Sequence, residues 1–180
     1  HVLGGYGFIG SRIGARLVSQ GHQVSISGRP ESGATEDEAV DQLERTVAQC
    51  HWIIHAATCS TPGSTAARPL DEVDGNLLPL ARLLTAMHRT PGCRVLYLSS
   101  AGSTYADTGT NQVGENDGML PKSYHGAAKV AAEAFLHALA SQQDCQVVAL
   151  RPSNVYGPGQ SAKPGFGLIP TAFQCCLENR

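Results

Sequence analysis

The stretch Val2-Leu3-Gly4-Gly5-Tyr6-Gly7-Phe8-Ile9-Gly10 decides the fold. Val2-Leu3 reads as the stub of a strand, and Ile9, Ile13 and Leu17 recur behind it at helical spacing. A strand, a glycine turn and a helix start make an anion cradle. Glycines let the backbone approach a pyrophosphate closely, while free N–H groups and the helix dipole attract its charge. Gly4, Gly7 and Gly10 lie three and three apart, not two and three as in the dehydrogenase fingerprint. With a second strand expected at Gln23–Ser27, the loop predicts dinucleotide binding through Gly4, Gly7, Phe8, Ile9 and Gly10. The competing reading is a tight turn that binds nothing.

Outward from this loop, strand and helix patterns alternate. A helix is expected over Phe8–Gln20. A second runs from Thr35 to Gln49, opened by the capping box Thr35/Glu38 and carrying Val40, Leu43 and Val47 on its buried face. Strand Trp52–Ala57 follows, then a polar loop, a long helix from Leu70 to Met87 and strand Arg94–Ser99. After a second polar loop come a helix from Tyr124 to Ala140 and strand Gln146–Leu150. Apolar strands alternating with helices predict an α/β fold, a Rossmann-type doubly wound parallel sheet covered on both faces. Loops 58–69, 99–120 and 151–167 then fall at the carboxyl ends of the strands, where such sheets bind ligands. Residues 1–150 are read as the nucleotide-binding domain and 151–180 as the start of a substrate lobe. About twenty residues separate the second strand from Trp52, and they hold one helix but no convincing further strand. The chain is read as a fragment, or as one lacking internal segments.

Totals narrow the function classes. The 180 residues suffice for one domain with a real core, and a net charge of −2 offers no basic field for nucleic acid. No apolar run reaches membrane-spanning length and no signal peptide precedes the first strand. Cys50, Cys59, Cys93, Cys145, Cys175 and Cys176 lack CxxC spacing and are read as small buried hydrophobes in a reducing cytoplasm. His51 and His55 flank an apolar strand and are not read as metal ligands. At the end of the second strand, Ile26-Ser27-Gly28-Arg29 has a cation where NAD enzymes carry a carboxylate, so Arg29 favours NADP over NAD.

Several segments together resemble the extended short-chain dehydrogenase/reductases, the NAD(P)-dependent nucleotide-sugar epimerases and dehydratases. They are Gly4–Gly10, His55-Ala56-Ala57, Ser60-Thr61-Pro62-Gly63-Ser64, Asn76-Leu77-Leu78 and Leu98-Ser99-Ser100. Arg151-Pro152-Ser153-Asn154-Val155-Tyr156-Gly157-Pro158-Gly159-Gln160 and Gly167-Leu168-Ile169-Pro170 complete the set. The resemblance implies Ala56 and Ala57 beside the cofactor, Pro152 and Val155 along the nicotinamide, Asn154 on a substrate phosphate and Leu168 near the nucleotide base. It also implies Ser100 sharing a proton with a Tyr-x-x-x-Lys pair whose lysine, Lys129, holds the nicotinamide ribose. The Asp-Glu pair of the 4,6-dehydratases is here Ala101-Gly102, which turns the resemblance toward epimerases.

The tyrosine is out of register. Tyr124 lies five residues before Lys129, and the residue four before is His125. Four residues turn a helix about 400°, placing His125 beside Lys129, whereas five point Tyr124 about 140° away. Imidazole is a ready base near neutrality. Two acid/base candidates, His125 and Tyr124, thus compete. The resemblance implies hydride transfer at a sugar carbon of a nucleotide-sugar. The alternatives are an NADP-dependent carbonyl reductase and a non-catalytic NADP-binding sensor. Leu80, Leu83 and Leu84 with Val130, Ala134 and Leu139 offer apolar surface for a homodimer.

Overall fold

The computed structural model describes residues 1–28, 33–61, 63–106, 112–160 and 167–178. Five strands, β1 (Val2–Leu3), β2 (Ile26–Ser27), β3 (Trp52–His55), β4 (Arg94–Leu98) and β5 (Val147–Leu150), form one sheet in the order β2-β1-β3-β4-β5. Every pairing is parallel. The helices are α1 (Phe8–Ser19), α2 (Glu36–Ala48), α3 (Pro69–Glu72), α4 (Leu78–Arg89), α5 (Ala101–Thr104), α6 (Tyr124–Gln143) and α7 (Leu168–Leu177). After β2 the chain crosses back to the far side of β1, so the strand order reverses between β1 and β3. That reversal opens a crevice at the carboxyl edge, directly above the glycine loop.

The two faces of the sheet are unequally covered. Residues in register across a parallel ladder share a face. Ile53, Val95 and Tyr97 therefore point to one side, where they pack with Val40 and Val47 of α2, Leu80, Leu83 and Met87 of α4, and Ala132, Leu136 and Leu139 of α6. Ile54, Leu96 and Leu98 point to the other side and are half-buried. Among the described residues α1 covers this side, its Gly14 lying against Ile26, while Ile26 and Leu150 on the edge strands stay exposed. Helices thus cover both faces of the sheet, as expected, though not equally. The packing also corrects the apolar surface assigned to a dimer: Leu80, Leu83, Leu84 and Leu139 are all spent in the chain's own core.

Three further expectations change. The helix anticipated over Leu70–Met87 is interrupted by a π turn at Val73–Leu77, in which the Leu78 N–H reaches Val73 O. Pro79 has no N–H to continue the α ladder there, and the widened turn is the local answer. The strand anticipated over Gln23–Ser27 pairs in the sheet only at Ile26–Ser27. Of the six cysteines only Cys93 is buried, and Cys176 is exposed. Cys50 and Cys145 lie half-buried, and each thiol donates to a nearby carbonyl, that of Thr46 and that of Cys93. No described helix is long and apolar enough to cross a membrane.

Candidate active site

The glycine loop divides its labour. Gly4 has φ +81°, and a Cβ there would meet the Ala57 nitrogen at 2.6 Å, so the end of β1 lies against the segment after β3. A Cβ at Gly10 would collide with the Gly4 carbonyl, which lets α1 start tight against the loop. Gly7 is different: a Cβ there would meet only the Gly4 oxygen, at 3.2 Å, and faces open space beyond. Gly7 is the N-cap of α1, no side chain caps the helix, and its first turn holds no acidic residue. The N–H groups of Phe8, Ile9 and Gly10 therefore point out of the helix end, as a diphosphate requires. A cavity of about 280 Å³ adjoins it, between Phe8, Ile9 and Ile13 of α1 and the segment Val155–Pro158. Arg12 ties the two walls by donating to Pro158 O at 2.6 Å. Backbone that approaches closely, an uncapped helix and an adjoining cavity together fit a dinucleotide. Arg29, on which the preference for NADP rested, lies outside the described residues.

Across the crevice the N-terminus of α6 is set by its cap. Ser123 Oγ accepts from Gly126 N at 3.0 Å, which fixes the phase of the helix from its first turn. Gly126 has no Cβ where one would collide with the Ser103 carbonyl, so α6 packs directly on α5, the turn that Ser100 opens. In that phase His125 is 7% exposed and Lys129 8%, whereas Tyr124 is 47% exposed. His125 and Lys129 share a close-packed junction with Asn76, Leu77 and Tyr97, and Tyr124 does not.

His125 Nδ1 lies 2.9 Å from Ser60 Oγ. Ser60 donates to Glu72 Oε2 at 2.9 Å and accepts from Asn76 Nδ2 at 2.9 Å. Asn76 also donates to Glu72, and Thr65 donates to its other oxygen. Burial pushes the Glu72 carboxyl up, but the bonds from Thr65, Ser60 and Asn76 outweigh it and hold the group below the ordinary range. Burial and then the Lys129 charge lower the His125 imidazole, with Glu72 opposing them. Lys129 donates to Leu98 O at 2.8 Å and stands 4.8 Å from the centre of the Tyr97 ring. Burial lowers its ammonium to about 8, against the pull of Glu72 and Glu133. Burial raises the Tyr97 phenol, as do Glu133 and Glu72. His55, in ring contact with Tyr97 at 5.4 Å, is held down to about 4 by burial and by Lys129.

Beneath Ser100, Glu133 accepts from Ser99 and pairs with Arg151, which also donates to the Tyr105 hydroxyl at 2.6 Å. This network ties β4, α6 and the segment after β5 into one floor. Ser100 is half-buried at the end of β4, and Pro152 O accepts from Ala101 N at 2.9 Å. Ala56 and Ala57 are half-buried beside the glycine loop, while Asn154 and Val155 are exposed on the crevice side of β5. Leu168, at the start of α7, is 74% exposed. Reading the sequence singled out His125 and Lys129 but assigned no role to Glu72, Thr65, Glu133 or Tyr97. A signal was present: Glu72 and Asn76, like His125, Lys129 and Glu133, recur every four residues and so share a helix face. Among the described residues no group of three or more His, Cys, Asp or Glu is placed to hold a metal ion.

Comparison with known proteins finds nucleotide-sugar 4-epimerases among the relatives. The UDP-glucose 4-epimerase of Halalkalibacterium halodurans is 29% identical over 198 residues, covering 99% of this chain and 59% of that protein. Among solved structures, the UDP-N-acetylglucosamine 4-epimerase of Methanobrevibacter ruminantium M1, in complex with UDP-N-acetylmuramic acid, superposes with a TM-score of 0.86 at 26% identity, covering 99% of this chain and 62% of that one. The Brucella ovis UDP-glucose 4-epimerase in complex with NAD gives 0.85 at 26% identity, covering 99% and 61%. The chain thus spans about three fifths of the length of these relatives. With the family model matching residues 1–180 throughout, the chain belongs to the NAD dependent epimerase/dehydratase family.

Proposed function

We propose that this chain carries the cofactor-binding and proton-transfer parts of a nucleotide-sugar 4-epimerase, with residues 1–150 as the cofactor domain and 151–180 opening the substrate lobe. The observation that carries this reading is that His125 and Lys129, not Tyr124, are turned to the same buried face of α6 at the carboxyl edge. A bound nicotinamide would accept a hydride from the sugar carbon and return it to the opposite face. The chain's residues do the rest. Gly4, Gly7, Phe8, Ile9 and Gly10 seat the diphosphate, Ala56 and Ala57 close one wall, and Pro152 and Val155 the other. Lys129 presents a cation to the ribose, His125 takes and returns the sugar hydroxyl proton, and Ser100 shares it. Asn154 and Leu168 face the nucleotide-sugar.

NAD is the cofactor we propose, because the solved Brucella relative carries NAD. NADP, which Arg29 suggested, becomes the competing outcome. Homodimerisation is retained on α6 alone, where Ala134 and the 55% exposed Phe135 stay free of the core. The test offers UDP-glucose and UDP-N-acetylglucosamine with NAD or NADP. Appearance of the 4-epimer with no net change in nicotinamide absorbance supports an epimerase. Stoichiometric oxidation or reduction of the nicotinamide would replace it with a reductase.

A further inference from the structure

We propose that Glu72 and Ser60 form a relay that locks His125 with its proton on Nδ1, leaving the Nε2 lone pair free to take a proton. The proposal rests on His125 being the proton-transfer group. The argument is a count of protons. Glu72 is ionised and can only accept. The Asn76 amide is oriented without ambiguity, because its Oδ1 accepts from the Cys59 backbone N–H at 3.0 Å. Its two Nδ2 protons therefore go to Glu72 Oε2, at 2.5 Å, and to Ser60 Oγ. The single hydroxyl proton of Ser60 goes to Glu72. One lone pair of Ser60 is taken by Asn76, and the other faces His125 Nδ1 at 2.9 Å. Only an N–H can fill it, so Nδ1 carries the proton and Nε2 is bare. No described group bonds Nε2. Ser60, Glu72 and His125 are 5%, 2% and 7% exposed, so water cannot readily substitute for a member.

The relay also accounts for an imidazole in this slot. A phenol has one polar atom and could not both meet Ser60 and face a substrate; imidazole has two, on opposite sides of the ring. When Nε2 takes the hydroxyl proton, the O–H bond breaks and an N–H bond forms. The Nδ1–H stays on Ser60, and the ring becomes a cation 3.9 Å from the Glu72 carboxylate. Lys129 on the same helix opposes that charge, and Tyr97 of β4 packs at the same junction. Glu72 and Ser60 are thus positioning residues, acting through His125.

The test is NMR of the [15N]histidine-labelled protein, with Ser60→Ala, Ser60→Thr and Glu72→Gln beside the unaltered chain. In the unaltered protein above the pKa of His125, Nδ1 should be protonated and Nε2 bare. Ser60→Ala strands a buried N–H, so the proton should move to Nε2, and kcat should fall on the order of ten- to a hundredfold, as when a partner that orients a histidine is lost. KM should hold, and Ser60→Thr should restore both tautomer and rate. Glu72→Gln removes the charge that supports the imidazolium and should move the acid limb of kcat to lower pH. A protonated Nε2 in the unaltered protein, or an unchanged tautomer in Ser60→Ala, overturns the relay. Full turnover in His125→Ala overturns instead the catalytic reading beneath it, whereas the NMR reads the tautomer independently of turnover.

Discussion

The two halves of this site are built from different materials. The loop Gly4–Gly10 is made of backbone, seven consecutive residues with hardly a side chain taking part. The cluster opposite is made of side chains drawn from Ser60, Glu72, Asn76, Tyr97, His125 and Lys129, with its key hydrogen bond spanning 65 positions. A backbone site is written locally, since glycine position alone sets what can approach. A side-chain site depends on where four separate elements come to rest. The first tolerates change in what surrounds it, while the second can lose its chemistry through any one member.

The largest effect should break the side-chain half. His125→Ala is expected to lower turnover by about 10²–10⁴, the usual worth of a placed proton-transfer group, while Tyr124→Phe stays within a few-fold. Steady-state rates for both variants on the same substrate check this, and reversed effects would return the role to Tyr124. A second test uses acid. His55 is held to about 4 in the fold against an ordinary 6.5 in the unfolded chain. Between those values the unfolded chain binds a proton that the native state refuses. Stability should therefore fall as pH drops from 6.5 toward 4, by about 3 kcal/mol in all. Urea midpoints across that window measure it, and His55→Phe should flatten the slope; an equally steep profile in the variant would exclude His55 as the source.

The glycine loop gives the smallest and most selective effects. Gly10→Ala drives a Cβ into the Gly4 carbonyl and should cost about 1–3 kcal/mol of stability. At Gly7 a Cβ meets only the Gly4 oxygen, so Gly7→Val should cost about 0.5–1 kcal/mol, yet abolish dinucleotide binding. Thermal melts with and without NAD, alongside a direct binding titration, separate the two. Equal stability losses, or retained binding in Gly7→Val, would show that the loop does not divide its labour in this way.

The alternating pattern, the capping box at Thr35 and the glycine triplet are short-range features, and the parallel sheet followed from them. The pairing of His125 with Lys129 was legible for the same reason, since a helix converts a spacing of four into a shared face. What stayed hidden is also physical. Pro79 breaks a helix that apolar spacing alone would continue, and the resulting turn at Val73–Leu77 brings Asn76 onto Ser60. The surplus leucines of α4 look free in one dimension, and only the packing of α2 and α6 shows them to be core. From the sequence came most contacts governed by backbone geometry within a few residues, and with them the fold and the shape of the glycine loop. Tertiary structure alone decided that Glu72, 53 positions before His125, should hold that ring through Ser60. A proton's location depends on which donors and acceptors meet in space, and no local pattern encodes that meeting.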